Sequence, residues 1–232
     1  MKKYFRVVLP AMAILFLFNT LSADVTAQSG VLGEILKRMD TNSKSLTSLK
    51  SSVKMNKVNS QLNENDLTEG DLSLIPGRSD KQIYLRIDWK KPVAEQLAIA
   101  NGKYVMYKPT TKQAIVGTVD SVKGSGKSGG VLAFMTMNRA QLRENYDVKY
   151  AGEETVSTGV NTFHLVLVPK KATSYKSADL WVDTNGMPVQ AKIVEKNNDT
   201  TTLLLSNIQR NATVKAKDFK ISPPKGTTIV QG

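Results

Sequence analysis

"IYLRIDW", residues 83–89, alternates without a break: Ile83, Leu85, Ile87 and Trp89 fall on one side of an extended chain, and Tyr84, Arg86 and Asp88 on the other. Successive side chains of a β-strand point to opposite faces, so the stretch predicts a strand with one apolar face and one wet face. Its neighbours follow the same rule. Leu49, Val53 and Met55 alternate with polar residues. "QLAIANGKYVMYKP" (96–109) reads as a hairpin turning on Asn101-Gly102, and "LWVDTNGMPVQAKIVE" (180–195) as another turning on Asn185-Gly186, since Asn-Gly suits the left-handed angles of a tight turn. "TFHLVLVP" (162–169) and "TTTLLLSNI" (200–208) complete a run of antiparallel strands. Ahead of them, Leu32, Ile35, Leu36 and Met39 sit at helical spacing. With no internal repeat and no βαβ rhythm, the pattern predicts a mainly β protein with a few α-helices, built on a single curved antiparallel sheet or open barrel.

Compartment is read from the N-terminus. Lys2, Lys3 and Arg6 precede an apolar run from Val7 to Phe18, and small-residue cleavage sites end at Ala23 and Ala27. Residues 1–27 therefore read as a secretory signal peptide, cut after Ala27 or Ala23, and 28–232 as one exported domain. The chain has no cysteine, so it forms no disulfide and carries no lipid-modified N-terminal cysteine. Its net charge of +12 is dispersed, without an aromatic-basic cluster or zinc framework. That speaks against nucleic acid and for acidic protein surfaces or anionic headgroups as neighbours.

Between the strand sets, "VKGSGKSGG" (122–130) runs into "VLAFMTMNRAQL" (131–142), whose length and composition predict a helix over Val131–Glu144. The loop imitates a dinucleotide fingerprint, a nucleophile elbow and the end of a phosphate loop, but lacks the βαβ unit, the catalytic partners and the further glycine, at Ser121, that these need. His164, the single histidine, lies in an alternating strand without a metal-ligand pattern, and Glu153-Glu154 reads as a solvated turn. No catalytic set, cofactor site or metal site emerges. By residue type alone, the methionine-bearing segment is packed core.

Four stretches in order carry a resemblance: "GDLSL" (70–74), "YLRIDWKKP" (84–92), "NGKYVMYKPTTKQ" (101–113) and, most specific, "KDFKISPPKGTTI" (217–229) with its Phe-x-hydrophobic-x-Pro-Pro-x-Gly pattern. The chain resembles the LolA family, periplasmic carriers of outer-membrane lipoproteins, across nearly all of its mature length. The resemblance implies an unclosed β-barrel with an apolar concave side, covered by a helical lid, with acyl chains held inside. On that basis Leu36, Met39, Leu85, Ile87, Trp89, Leu97, Ile99, Leu132, Phe134 and Met135 are the expected cavity and lid residues. The family's basic latch, which ties the lid to backbone carbonyls, falls on Arg78 or Lys81 if the strand start is shifted. The implied protein is a soluble periplasmic monomer, not an enzyme. It takes lipoproteins from an inner-membrane lipoprotein-releasing ABC transporter to an outer-membrane acceptor. Two alternatives remain: a lipid- or lipoprotein-sensing module of an envelope-stress pathway, and a lipid hydrolase, for which His164 is the one available base.

Overall fold

The computed structural model of the chain describes residues 23–77, 83–119, 134 and 137–232. Helix α1 (Ala23–Ser45) comes first, then strands β1 (Leu49–Asn59), β2 (Glu64–Ile75), β3 (Tyr84–Lys91), β4 (Glu95–Ala100), β5 (Lys103–Lys108) and β6 (Gln113–Thr118). Helix α2 (Arg139–Asn145) leads into β7 (Tyr146–Thr155), β8 (Asn161–Pro169), β9 (Tyr175–Asp183), β10 (Pro188–Glu195), β11 (Thr200–Arg210) and β12 (Thr228–Gln231). All twelve strands form one sheet, in the order β12-β6-β5-β4-β3-β2-β1-β11-β10-β9-β8-β7, and its two ends do not pair. The barrel is therefore unclosed. Among the described residues no helix is long and apolar enough to cross a membrane.

The register turns the alternation seen in each strand into one continuous apolar surface. Leu72 faces Ile87, which faces Leu97, which faces Met106, which faces Ile115. On the other wing, Met55 faces Leu203, then Ala191, Leu180, Leu165 and Tyr150. Cross-strand neighbours on one face lie close enough to pack, so these rungs make a single inner face. Gly70 stands opposite Trp89 on it. A Cβ at Gly70 would come within 2.9 Å of Trp89 Cα and nearer still to the Asp88 carbonyl, so only glycine lets the two strands meet there.

The outer face departs from the sequence reading. Tyr84 and Arg86, expected on a wet surface, lie under the chain that follows β11. Phe219, in a short 3-10 turn (Ala216–Phe219), is buried with its ring edge-on to Tyr84 at 5.8 Å. The Arg86 guanidinium donates to the Lys220 carbonyl at 3.0 Å and to both oxygens of Asp88. Ile221 packs with Ala98, Tyr107 and Ala114 in a second, smaller core. Having crossed this face, the chain reaches the free edge of β6 and runs beside it in parallel, the exception in an otherwise antiparallel sheet.

Local chemistry explains three further differences. Asn101 (φ 52°) and Gly102 (φ 73°) both take left-handed angles in the expected two-residue turn. At the β9–β10 hairpin only Gly186 does (φ 85°), and the turn is wider, held by Asp183, whose Oδ1 accepts from Asn185 and Met187 N–H. The predicted helix over 131–144 is not continuous: Met137 and Asn138 are non-helical, and α2 starts afresh at Arg139. The restart is a capping box, in which Asn138 Oδ1 accepts from Gln141 N–H while Gln141 Oε1 accepts from Asn138 N–H. Glu153 and Glu154 lie in β7 rather than in a turn. Residues 1–22 of the expected signal segment 1–27, together with Arg78, Lys81, the glycine loop, Leu132 and Met135, lie outside the described residues.

Candidate functional site

Helix α1 covers part of the inner face because its apolar residues recur every three or four positions, placing Ile35, Leu36 and Met39 on one side. All three are buried in the same core as Leu85, Ile87 and Trp89. The helix is seated on the β9–β10 hairpin: Arg38 Nη1 donates to the Thr184 carbonyl at 3.2 Å, and Gly186 leaves room for the backbone of Arg38 and Met39. The Arg38 guanidinium also lies over the Phe163 ring at 5.8 Å. The guanidinium thus serves twice, as a hydrogen-bond donor and as a cation over an aromatic face.

Phe134 belongs to the same core and is only 1% exposed. Its ring lies 5.6 Å from that of Tyr146 and 6.1 Å from that of Tyr175, in tilted and edge-on contact. The two tyrosine hydroxyls share a hydrogen bond at 2.6 Å. Burial first, and that hydrogen bond second, push the Tyr175 phenol far above its ordinary range, so it stays neutral. Leu97 and Ile99, in the wing beyond β3, are half-buried and pack against the core's margin. Six of the ten sequence-selected residues thus meet in one core, two border it, and two fall outside the described residues.

Where α1, the end of β2, Met137 and the β9–β10 hairpin come together, a crevice of about 30 Å³ remains, lined by Met39, Asn42, Leu74, Pro76, Met137 and Pro188. That is room for about one water molecule. Sequence reasoning passed over Asn42, Tyr146 and Tyr175. Asn42 follows Met39 by three positions on the helix, a spacing that places it on the packed side, whereas nothing in the local pattern marks the two tyrosines. Among the described residues, no cluster of three or more His, Asp or Glu is arranged to hold a metal.

The ionisable chemistry lies on the opposite, outer face. His164 Nδ1 is 2.9 Å from Glu154 Oε1 and Nε2 is 2.9 Å from Asp179 Oδ1, while its ring stacks on Trp181 at 4.5 Å. Trp181 Nε1–H donates to Glu154 Oε2 at 2.6 Å. That indole hydrogen bond, more than the charge of His164, holds the Glu154 carboxyl below its ordinary value. A depressed carboxylate contributes stability above its unfolded pKa of about 4.3, and the contribution is lost as pH falls through the folded value. The stability gap between wild type and Trp181→Phe is therefore expected to narrow between about pH 7 and pH 3. Urea midpoints across that range check it, and a gap constant with pH would show that Trp181 acts through packing alone.

The four resembling stretches supply β2, β3 and β5 of the apolar inner face and the outer strap with Phe219 and Ile221. The family model described as outer membrane lipoprotein carrier protein LolA matches residues 46–222. The chain belongs to the LolA family. An outer-membrane lipoprotein carrier protein of Pectobacterium carotovorum subsp. carotovorum (strain PC1) is 29% identical over 137 residues, covering 58% of this chain and 60% of that protein. Another, from Pectobacterium atrosepticum, is 28% identical over 145 residues, 61% of this chain and 64% of its own length. The matched part thus spans less than two thirds of these relatives. Among solved structures, a conserved protein of Thermus thermophilus has a TM-score of 0.56 at 14% identity, covering 87% of this chain and 99% of its own. The MucA/MucB complex of Pseudomonas aeruginosa gives 0.50 at 12% identity, over 82% of this chain and 60% of that one. At such identities the likeness is one of fold. The LolA match opens directly after α1 and closes before β12, so it takes in β1–β11, Phe134 and the strap, and leaves the covering helix outside.

Proposed function

We propose that this chain binds the acyl chains of lipoproteins on its inner face and carries them through the periplasm, from an inner-membrane lipoprotein-releasing ABC transporter to an outer-membrane acceptor. One observation carries the reading. An apolar face runs across the sheet, yet among the described residues what covers it is one helix with Phe134 and Met137, not a second sheet. Such a cover can be displaced while every strand pairing is kept. The crevice at the seam holds about one water, so an acyl chain enters where the cover leaves. Each methylene buried contributes about 0.8 kcal/mol, and two or three chains together hold cargo firmly without directional contacts. The site therefore reads the lipid and not the protein attached to it. Removal of residues 1–27 on export leaves Ile35, Leu36 and Met39 in place to close the empty carrier.

A second reading is a lipid-sensing module that grips a protein partner, favoured by the fold shared with a chain of the MucA/MucB complex. Titration with a tripalmitoylated lipopeptide tests the first. In a Trp181→Phe variant, Trp89 is the one remaining tryptophan, and its emission is expected to change on binding. Binding demonstrated by calorimetry with no change in emission would place the ligand away from Trp89. Failure to bind any lipopeptide, together with stable capture of a protein lacking acyl chains, would favour the sensor.

A further inference from the structure

Asn42 is 4% exposed, and it projects from the last turns of α1 into the crevice at the seam. Its Nδ2 is turned to Met187 Sδ at 3.5 Å, a weak acceptor, and its Oδ1 has no hydrogen-bond partner. A buried carbonyl oxygen left unpaired is unfavourable, and an apolar residue of similar size would avoid the cost. The surroundings sharpen the question: Leu46, Leu74, Met137 and Pro188 line the crevice with Ser43, and no carboxylate does.

We infer that Asn42 Oδ1 is a polar contact for the cargo's lipid anchor, accepting the amide N–H of an N-acylated terminus and so selecting it over a free amine. The inference rests on the carrier reading given above. A secondary amide brings one N–H to one waiting acceptor and is neutral. An ammonium brings three donors and a full charge, and the lining, in which Ser43 is the one other polar side chain, holds no counter-charge. Ester-linked chains bring no donor at all. The position suits this role, because the crevice lies where Met137 meets α1 and the end of β2.

The test uses two forms of one dipalmitoylated lipopeptide that differ only at the N-terminus, free amine against N-acetyl, with the full mature chain at neutral pH. Wild type is expected to bind the acetylated form roughly tenfold more tightly. Asn42→Leu should lose that preference while its urea midpoint holds or rises, since the unpaired oxygen is gone. Asn42→Asp should reverse the preference, because a carboxylate pairs with the ammonium. Retention of the wild-type ratio in both variants would overturn the inference and leave Asn42 with an ordered water only. An equal loss for both lipopeptides would overturn it too, pointing to a peptide amide of the cargo as the donor. Wild type binding neither form would instead refute the carrier reading itself.

Discussion

Gly186→Ala is expected to lift helix α1 from the sheet, lower the urea midpoint and raise the binding of an apolar dye. Two costs add. At φ 85° any Cβ strains the backbone by roughly 1–2 kcal/mol. The added methyl would also lie 2.6 Å from Met39 N and nearer still to the Arg38 carbonyl, and backbone atoms cannot rotate aside as a side chain does. The helix must move, and with it Ile35, Leu36 and Met39, each worth roughly 1.5–3 kcal/mol when fully buried. Gly159→Ala is the matched control, because φ is 82° there and nothing lies within 4 Å of the new methyl. Gly186→Ala should cost at least about 2 kcal/mol more than this control. Equal losses would mean that α1 is not held by the β9–β10 hairpin.

Phe134→Glu is expected to weaken lipopeptide binding strongly while lowering stability less than the same change in the sheet. The ring gives up its contacts with Tyr146 and Tyr175 and its burial, a loss of about 3 kcal/mol for a core phenylalanine. If the segment is a displaceable cover, it swings out and the new carboxylate reaches water, so no charge is buried. Leu165→Glu offers no such escape: the residue is fully buried in β8, between neighbours on both sides, and an unpaired carboxylate there forces protonation or local unfolding. Its expected cost exceeds about 4 kcal/mol. Urea midpoints and lipopeptide affinities of both variants decide between cover and core. A collapse of Phe134→Glu to the level of Leu165→Glu would make the segment permanent core. Unchanged affinity and stability would show that another part of the chain closes the face.

The inner face was legible in the sequence because it depends on parity alone. Once "IYLRIDW" fixes which side Leu85, Ile87 and Trp89 take, hairpin turns of known length carry the assignment across to Leu97 and Ile99. What lies over a face depends on segments distant in sequence. Tyr84 and Arg86 looked wet because nothing near them announces that Phe219 and Lys220 will lie on top. The parallel placement of β12 was hidden for the same reason, being decided by where the strap ends and not by any residue of the strand. The break before α2 was written in Asn138 and Gln141, but the apolar run ahead of them reads as an uninterrupted helix. Glu154 was misread because a pair of acids beside a glycine suggests a turn, whereas it pairs with Thr162 of β8 and its carboxylate is met by His164 and Trp181. Asn42 illustrates a different limit: spacing puts it on the packed side of α1, and only the packed structure reveals that its oxygen has no partner.

The order of strands has a mechanical result. β6 lies one strand in from one rim of the open barrel, locked there by β12, and β7 forms the other rim. The chain passes from one side of the sheet to the other between Thr118 and Arg139, and on that passage Phe134 rests against Tyr146 of β7 and Tyr175 of β9. A displacement of Phe134 is therefore felt first at β7, the unpaired rim that its ring contacts, and not at the strands that make the middle of the sheet.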